Sequence, residues 1–195
     1  MSAKTLVTRC IVLTVVCAAL RLGSSVQLLH SALMYSKLHD TALRSSLILN
    51  NLALACYLLV DHAVWAAKLG LIAADASKLG RIAARLWLIS LIAALLRDVI
   101  EILRALRTEM TKHREANHAG DFHYSLMPQS VSVVSRIAAN RPLLVDCVKN
   151  AADIFLPAAV LGYVNVGDCF QGLLGIVSSY MAVLTIWDPA LKLSP

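Results

Sequence analysis

Residues Tyr57-Leu-Leu-Val-Asp61-His62-Ala-Val-Trp65-Ala-Ala-Lys68-Leu-Gly70-Leu-Ile72 set an ionisable pair in the middle of an otherwise apolar run. Apolar residues here recur at helical spacing, and the alternation typical of strands is scarce along the whole chain. Charge in carbon-rich surroundings is costly unless it is paired or sits at a polar boundary. Asp61 and His62, followed by Trp65, Lys68 and the helix-weakening Gly70, are therefore expected to be paired or to sit at such a boundary. The interruption of their helix at Asn50 and Asn51 suits a place within a helical bundle or a dip into the bilayer.

Composition agrees. Of 195 residues, 58% are hydrophobic and 15% charged, with a mean hydropathy of +0.70. A soluble domain carries about 25% charged residues, so polar side chains are too few here to cover a globule. The fold class expected is all-α and membrane-associated, with amphipathic helices and one to two or more embedded ones. Eighteen Lys and Arg against twelve Asp and Glu give a net charge of +6. These cations are spread thinly between apolar runs, not clustered on one soluble face. That argues against nucleic acid and fits the anionic headgroups of a lipid bilayer as partner. The five cysteines, Cys10, Cys17, Cys56, Cys147 and Cys169, have no zinc or redox spacing and do not suggest a disulfide framework.

Outward from the opening stretch, a first helix is expected from Ser24 to Tyr35, with Val26, Leu29 and Leu33 on one face and Arg21, Lys37 and Arg44 flanking it. A second runs from Thr41 through Lys68, interrupted by Asn50 and Asn51. Gly70 and Asp75 through Gly80 read as a turn region. Ile82 to Leu96, broken by Arg85, is short for the roughly 20 residues a span needs. The clearest amphipathic pattern follows: Leu88, Leu91/Ile92, Leu95/Leu96, Val99/Ile100, Leu103 and Leu106, opposite Ser90, Arg97, Glu101, Arg104 and Thr108. Arg97 with Glu101, and Glu101 with Arg104, are spaced to pair on one face. Such a stripe suits a solvated face, a headgroup-facing surface or a seam against another helix.

Residues 108–135 read as a polar linker. Its histidines, His113, His118 and His123, are five apart, which is not the spacing of a zinc helix. After Pro142 an apolar region carries Asp146, Lys149 and Asp153, with Asp146 and Lys149 spaced to pair, and is interrupted at Pro157, Gly162 and Gly167. Phe170 to Trp187 has no charge and is the best spanning candidate, with Trp187 where an interfacial aromatic sits. Gly172, Gly175 and Ser179 place small residues on closely related faces, a pattern that lets helices approach. The resulting division is 1–20 apolar N-terminal segment, 21–107 amphipathic and membrane helices, 108–135 linker and 136–195 C-terminal membrane region. No nucleophile elbow, phosphate loop, metal cluster or carboxylate pair appears. No enzyme activity, cofactor or metal is expected.

These residues resemble a known family. Arg21-Leu-Gly23-Ser-Ser-Val26, Tyr57 through Trp65, Leu69-Gly70-Leu-Ile72, and Arg85-Leu-Trp87-Leu-Ile-Ser90 through Leu96-Arg97-Asp98 look like the peroxisomal membrane proliferation factors, the peroxin eleven family. Lys149-Asn-Ala-Ala-Asp153-Ile-Phe-Leu-Pro157, Leu161-Gly162-Tyr163 and Gly172-Leu-Leu-Gly175-Ile-Val-Ser178-Ser179 resemble its C-terminal signature. The similarity runs in order over residues 20 to 187, with Tyr57, Asp61, His62, Trp65, Gly70, Asp153, Pro157 and Gly162 as its marked positions. It departs at the start, where the uncharged run Cys10 to Leu20 stands in place of a longer amphipathic region.

The resemblance implies a non-enzymatic, integral peroxisomal membrane protein that elongates the membrane before division. It further implies leaflet insertion of an amphipathic helix, self-association into a homo-oligomer and recruitment of membrane fission machinery. The insertion face expected is Val26, Leu29, Leu33, Leu88, Leu91, Leu95, Val99, Leu103 and Leu106. Arg21, Lys37, Arg44, Arg97, Glu101 and Arg104 supply headgroup or pairing charges, and Gly172, Gly175 and Ser179 the helix association. Five cations and one acid in the first 45 residues favour a cytosolic N-terminus. Two other readings stand beside this one. In a metabolite channel or transporter subunit, Asp61, His62, Lys68 and Arg85 line a polar path. In a secretory-pathway membrane protein, Lys4 and Arg9 ahead of Cys10–Leu20 form a cleaved signal peptide, although Arg21 follows the apolar core directly. The ending Lys192-Leu-Ser-Pro195 is not the Ser-Lys-Leu matrix address, so internal signals are expected to direct insertion.

Overall fold

A computed structural model describes residues 23–118 and 140–191, and among these all regular structure is helical. The segment 1–20, Arg21, residues 119–135 of the expected linker with His123, and the ending from Lys192 lie outside the described residues.

Residues 23–35 form α1. Asp40 then caps α2 (Thr41–Lys68), its Oδ1 accepting the N–H groups of Ala42 at 3.0 Å and Leu43 at 3.2 Å. These donors have no partner within the first turn of a helix. Asn50 and Asn51 do not interrupt α2. Asn51 Nδ2 donates to the Leu47 carbonyl at 3.0 Å, and the Ser46 hydroxyl to that of Leu43 at 3.0 Å, so the polar groups are satisfied along the helix itself.

α2 ends at a left-handed glycine. Gly70, at φ 73°, donates to the Ala67 carbonyl at 3.0 Å, and Leu71 donates to that of Ala66 at 3.0 Å. This is a Schellman turn, in which a residue without Cβ reverses the chain without steric penalty. α3 (Ala76–His118) begins after Asp75, whose Oδ1 accepts from Ser77 at 2.9 Å and Lys78 at 3.2 Å. The turn is therefore confined to 69–75, and Ser77 through Gly80, expected within it, are helical. α3 also continues through residues 108–118, the beginning of the expected linker. Tyr57 of α2 stacks on Trp87 of α3 with ring centroids 5.6 Å apart. Each ring lies eleven residues from the connection, 57 to 68 and 76 to 87. Equal spacing from the turn makes α2 and this part of α3 an antiparallel helical hairpin.

α4 (Arg141–Asp153) carries Pro142 in its first turn, where a missing N–H is harmless. α5 (Phe155–Val160) follows directly. The break between them falls at Ile154, because Pro157 has no N–H for the Asp153 carbonyl and its ring crowds that position. α5 ends in a second Schellman turn at Gly162, φ 76°, with Tyr163 donating to the Ala158 carbonyl at 2.9 Å. α6 (Asp168–Trp187) and a 3-10 turn (Pro189–Leu191) complete the described chain.

The described residues gather into two compact units. One comprises residues 23–93 with Pro157–Asn165; the other begins at Ala94, runs to Leu156, and resumes at Val166. In the second unit α4 packs along α6 and both hold the 3-10 turn, burying Leu143, Val145 and Ala152 of α4 and Ser178 of α6. Two helices, α2 and α6, are long and apolar enough to cross a membrane. At 1.5 Å per residue α6 is about 30 Å long, the thickness of a hydrocarbon core.

Candidate functional site

Small side chains are turned inward and large aliphatic ones outward. Nine of the fifteen buried hydrophobic residues among those described are alanine: Ala32, Ala53, Ala55, Ala83, Ala84, Ala93, Ala94, Ala152 and Ala158. Leu, Ile, Val, Phe, Tyr and Trp side chains fill the exposed set instead. A soluble fold buries its largest apolar groups, whereas helices packing within lipid meet through small residues.

In α1, Ser25 and Ala32 are buried seven positions apart, while Val26 is 64% and Leu33 70% exposed, with Leu29 exposed beside them. Lys37 is exposed and Arg44 half-buried. On α3 the outward apolar stripe is Ile82, Ile89, Ile92, Leu96, Val99 and Leu103. Leu88, Leu95 and Leu106 are half-buried at its margin. Leu91, which its spacing assigns to the insertion face, is turned inward and only 5% exposed. The reason is rotational: Leu91 and Asp98 are seven residues apart on one helix face, and Asp98 is held inside.

Asp98 anchors a polar network within the second unit. Its side chain is 1% exposed. Arg97 donates to Asp98 Oδ1 through Nη2 at 2.8 Å and Nε at 3.2 Å, and its guanidinium also pairs with Asp146 of α4. Asn150 Nδ2 donates to Asp98 Oδ2 at 3.0 Å and to Asp146 Oδ2 at 3.3 Å. One guanidinium and one amide thus serve two carboxylates and tie α4 to α3. A buried charge is tolerated only with such partners. Beyond the centre, Lys149 donates to Asn150 Oδ1 at 3.4 Å and lies 3.9 Å from Asp153. Burial, then the Asp98 charge and a hydrogen bond to it, push the Cys147 thiol up to about 11, against a smaller lowering by Arg97.

Of the three expected pairings, Glu101 with Arg104 is present and the other two differ. Arg97 turns to Asp98 and Asp146 in place of Glu101; Glu101 meets Arg104 at 3.3 Å; Lys149 meets Asp153, and Asp146 meets Arg97. Helical spacing does not reveal the central partners Asp98 and Asn150. The available signal was a carboxylate two positions beyond the uncharged run ending at Leu96.

The marked positions of the opening stretch fall on α2 and its turn. Asp61 and His62 are half-buried, and His62 Nδ1 donates to the Leu58 carbonyl at 2.6 Å, which fixes the proton on that nitrogen. Lys68 and Arg85 are exposed, and Trp65 is half-buried. In α6, Gly172 and Ser179 are exposed and Gly175 half-buried. A Cβ placed at Gly172 or Gly175 meets no atom of another described element within 4 Å.

Residues 13–187 match the model of the peroxisomal biogenesis factor 11 family. Peroxisomal membrane protein 11B of Bos taurus is 32% identical over 200 residues, covering 90% of this chain and 78% of that protein. Peroxisomal membrane protein 11A of Mus musculus is 31% identical over 187 residues, covering 89% and 75%. No solved structure matches. With outward aliphatic faces, alanine-rich packing and a match along most of its length, the chain belongs to the peroxisomal biogenesis factor 11 family of peroxisomal membrane proteins.

Proposed function

We propose that this peroxisomal membrane protein promotes proliferation by elongating the membrane, through leaflet insertion of amphipathic helices and self-association, without catalysing a reaction. The observation that carries the reading is the division of α1, which buries Ser25 and Ala32 and presents Val26, Leu29 and Leu33 outward. A helix lying at headgroup depth with such a face expands one leaflet and favours curvature. The outer stripe of α3 adds to this, with Arg104 and Glu101 at its flank. The N-terminus is cytosolic in this scheme, and fission machinery acts on the elongated membrane. Leu29→Glu combined with Leu33→Glu tests it: deformation of the peroxisomal membrane is lost while targeting persists. Normal tubulation by the double variant refutes the insertion mechanism.

A further inference from the structure

The connection between α2 and α3 combines an exposed apolar tip with a collar of cations. In a Schellman turn the residue after the glycine ordinarily packs back against the last turn of the helix. Leu71 occupies that position, yet it is 68% exposed, with Leu69 and Ile72 exposed beside it. Three aliphatic side chains within four positions are thus offered to the surroundings at the end of a helical hairpin.

Behind the tip stand Lys68, Lys78, Arg81 and Arg85, all exposed. Lys78, Arg81 and Arg85 follow at intervals of three and four, so they run along one strip of α3. Asp75 is the one acid between positions 68 and 85. Four cations against it leave +3, and its carboxylate already accepts the Ser77 and Lys78 N–H groups and lies 3.7 Å from Lys78 Nζ. Arg81 Nη1 donates to the Ser77 hydroxyl at 3.1 Å, which orients that guanidinium along the helix.

We infer that this turn is an interfacial lipid contact of its own. Leu69, Leu71 and Ile72 enter the boundary between headgroups and acyl chains, and Lys68, Lys78, Arg81 and Arg85 hold the phosphates of anionic lipids. The order along the hairpin, apolar tip first and cations behind, follows the order of layers in an anionic leaflet. The long Arg85 side chain reaches the headgroups by lying along the apolar surface with its charge extended. An acidic protein would match the collar, but the contact then lacks the apolar layer directly beyond the charges. The inference rests on membrane residence and not on insertion of α1.

The test is hydrogen–deuterium exchange of residues 69–75 in the full chain, reconstituted in phosphatidylcholine vesicles and in vesicles of equal parts phosphatidylcholine and phosphatidylinositol. Several-fold slower exchange is expected in the anionic vesicles. Both Leu71→Ser with Ile72→Ser, and Lys78→Gln with Arg81→Gln, return it to the rate in neutral vesicles, while α4 exchanges alike throughout. Equal rates in the two lipids, or undiminished protection in the Lys78→Gln, Arg81→Gln variant, overturn the inference. So does protection gained from added polyglutamate but not from lipid, which assigns the collar to an acidic protein. The α1 variant Leu29→Glu, Leu33→Glu is measured alongside: loss of tubulation with the turn still protected separates this contact from the insertion mechanism.

Discussion

Asn150 of α4 donates to Asp98 of α3 at 3.0 Å across 52 positions of sequence, and the same amide reaches Asp146 at 3.3 Å. With Arg97 pairing to the same two carboxylates, through Oδ1 of Asp98 and Oδ2 of Asp146, this bond makes α4 and α3 partners within one unit. Removing one member of a buried ionic group costs far more than the group contributes, because the remaining charge is stranded. Asp98→Ala is expected to destabilise the second unit by about 3 kcal/mol. Asp98→Asn, which retains a hydrogen-bonding side chain, costs less. Replacing Arg97, Asp98, Asp146 and Asn150 together by apolar residues costs less than Asp98→Ala alone. Urea titration in mild detergent, followed by protease sensitivity, orders the variants. An Asp98→Ala chain as resistant as the parent assigns the network no structural weight.

Two glycines separate backbone strain from side-chain packing. Gly70 sits at φ 73°, and Gly80 lies in helical backbone of α3; at neither does an added Cβ meet an atom within 4 Å. Gly70→Ala is expected to cost about 1–2 kcal/mol from left-handed strain alone. Gly80→Ala is expected to gain up to about 1 kcal/mol from helix propensity. Opposite signs in the same melting experiment support the turn geometry. A neutral Gly70→Ala contradicts it.

How much of this was legible in the sequence depends on whether a feature is local. The 28-residue helix from Thr41 to Lys68 follows from its period and its basic end, and α6 from an uncharged run. Asn50 and Asn51 look like breaks in the pattern, and composition does not reveal that the buried Asn51 is satisfied by the Leu47 carbonyl four positions back. The rotation of α3 was not legible. Leu91 and Ile92 fit the amphipathic spacing equally, and the choice between them is made by Asp98, whose partner lies on another helix. Helical spacing likewise offers Glu101 to Arg97, but the nearer and more buried carboxylates of Asp98 and Asp146 take it.

Cys147 gives the network a pH signature. Its thiol titrates near 11 instead of 9.0, so the folded state disfavours the thiolate. The linked stability is fully present below pH 9, where the unfolded thiol keeps its proton, and is lost as pH rises through about 11. Because the thiolate is the reactive form, alkylation of Cys147 at pH 8 is expected to be slow and to rise about tenfold per pH unit. Peptide mapping by mass spectrometry follows it beside the exposed Cys169. Asp98→Asn removes the charge that opposes the thiolate and speeds labelling of Cys147 at pH 8. A rate for Cys147 that is flat from pH 8 to 10 excludes the raised thiol.

The exposed glycine face of α6 separates assembly from folding. Gly172 and Ser179 are exposed, and no other described element lies within 4 Å of a Cβ at Gly172 or Gly175. Larger side chains there displace no neighbour among the described residues, so Gly172→Val with Ser179→Val is expected to leave the melting of the second unit unchanged or slightly raised. A second copy seated on that face is different, because close approach of two helices depends on the missing side-chain volume. Self-association of the double variant, measured by energy transfer between labelled copies in vesicles, is expected to fall several-fold while its stability holds. Membrane elongation by the same variant then weakens with the lost contact. If energy transfer is undiminished, assembly uses another surface, and the glycines of α6 serve only the fit of the helix to lipid.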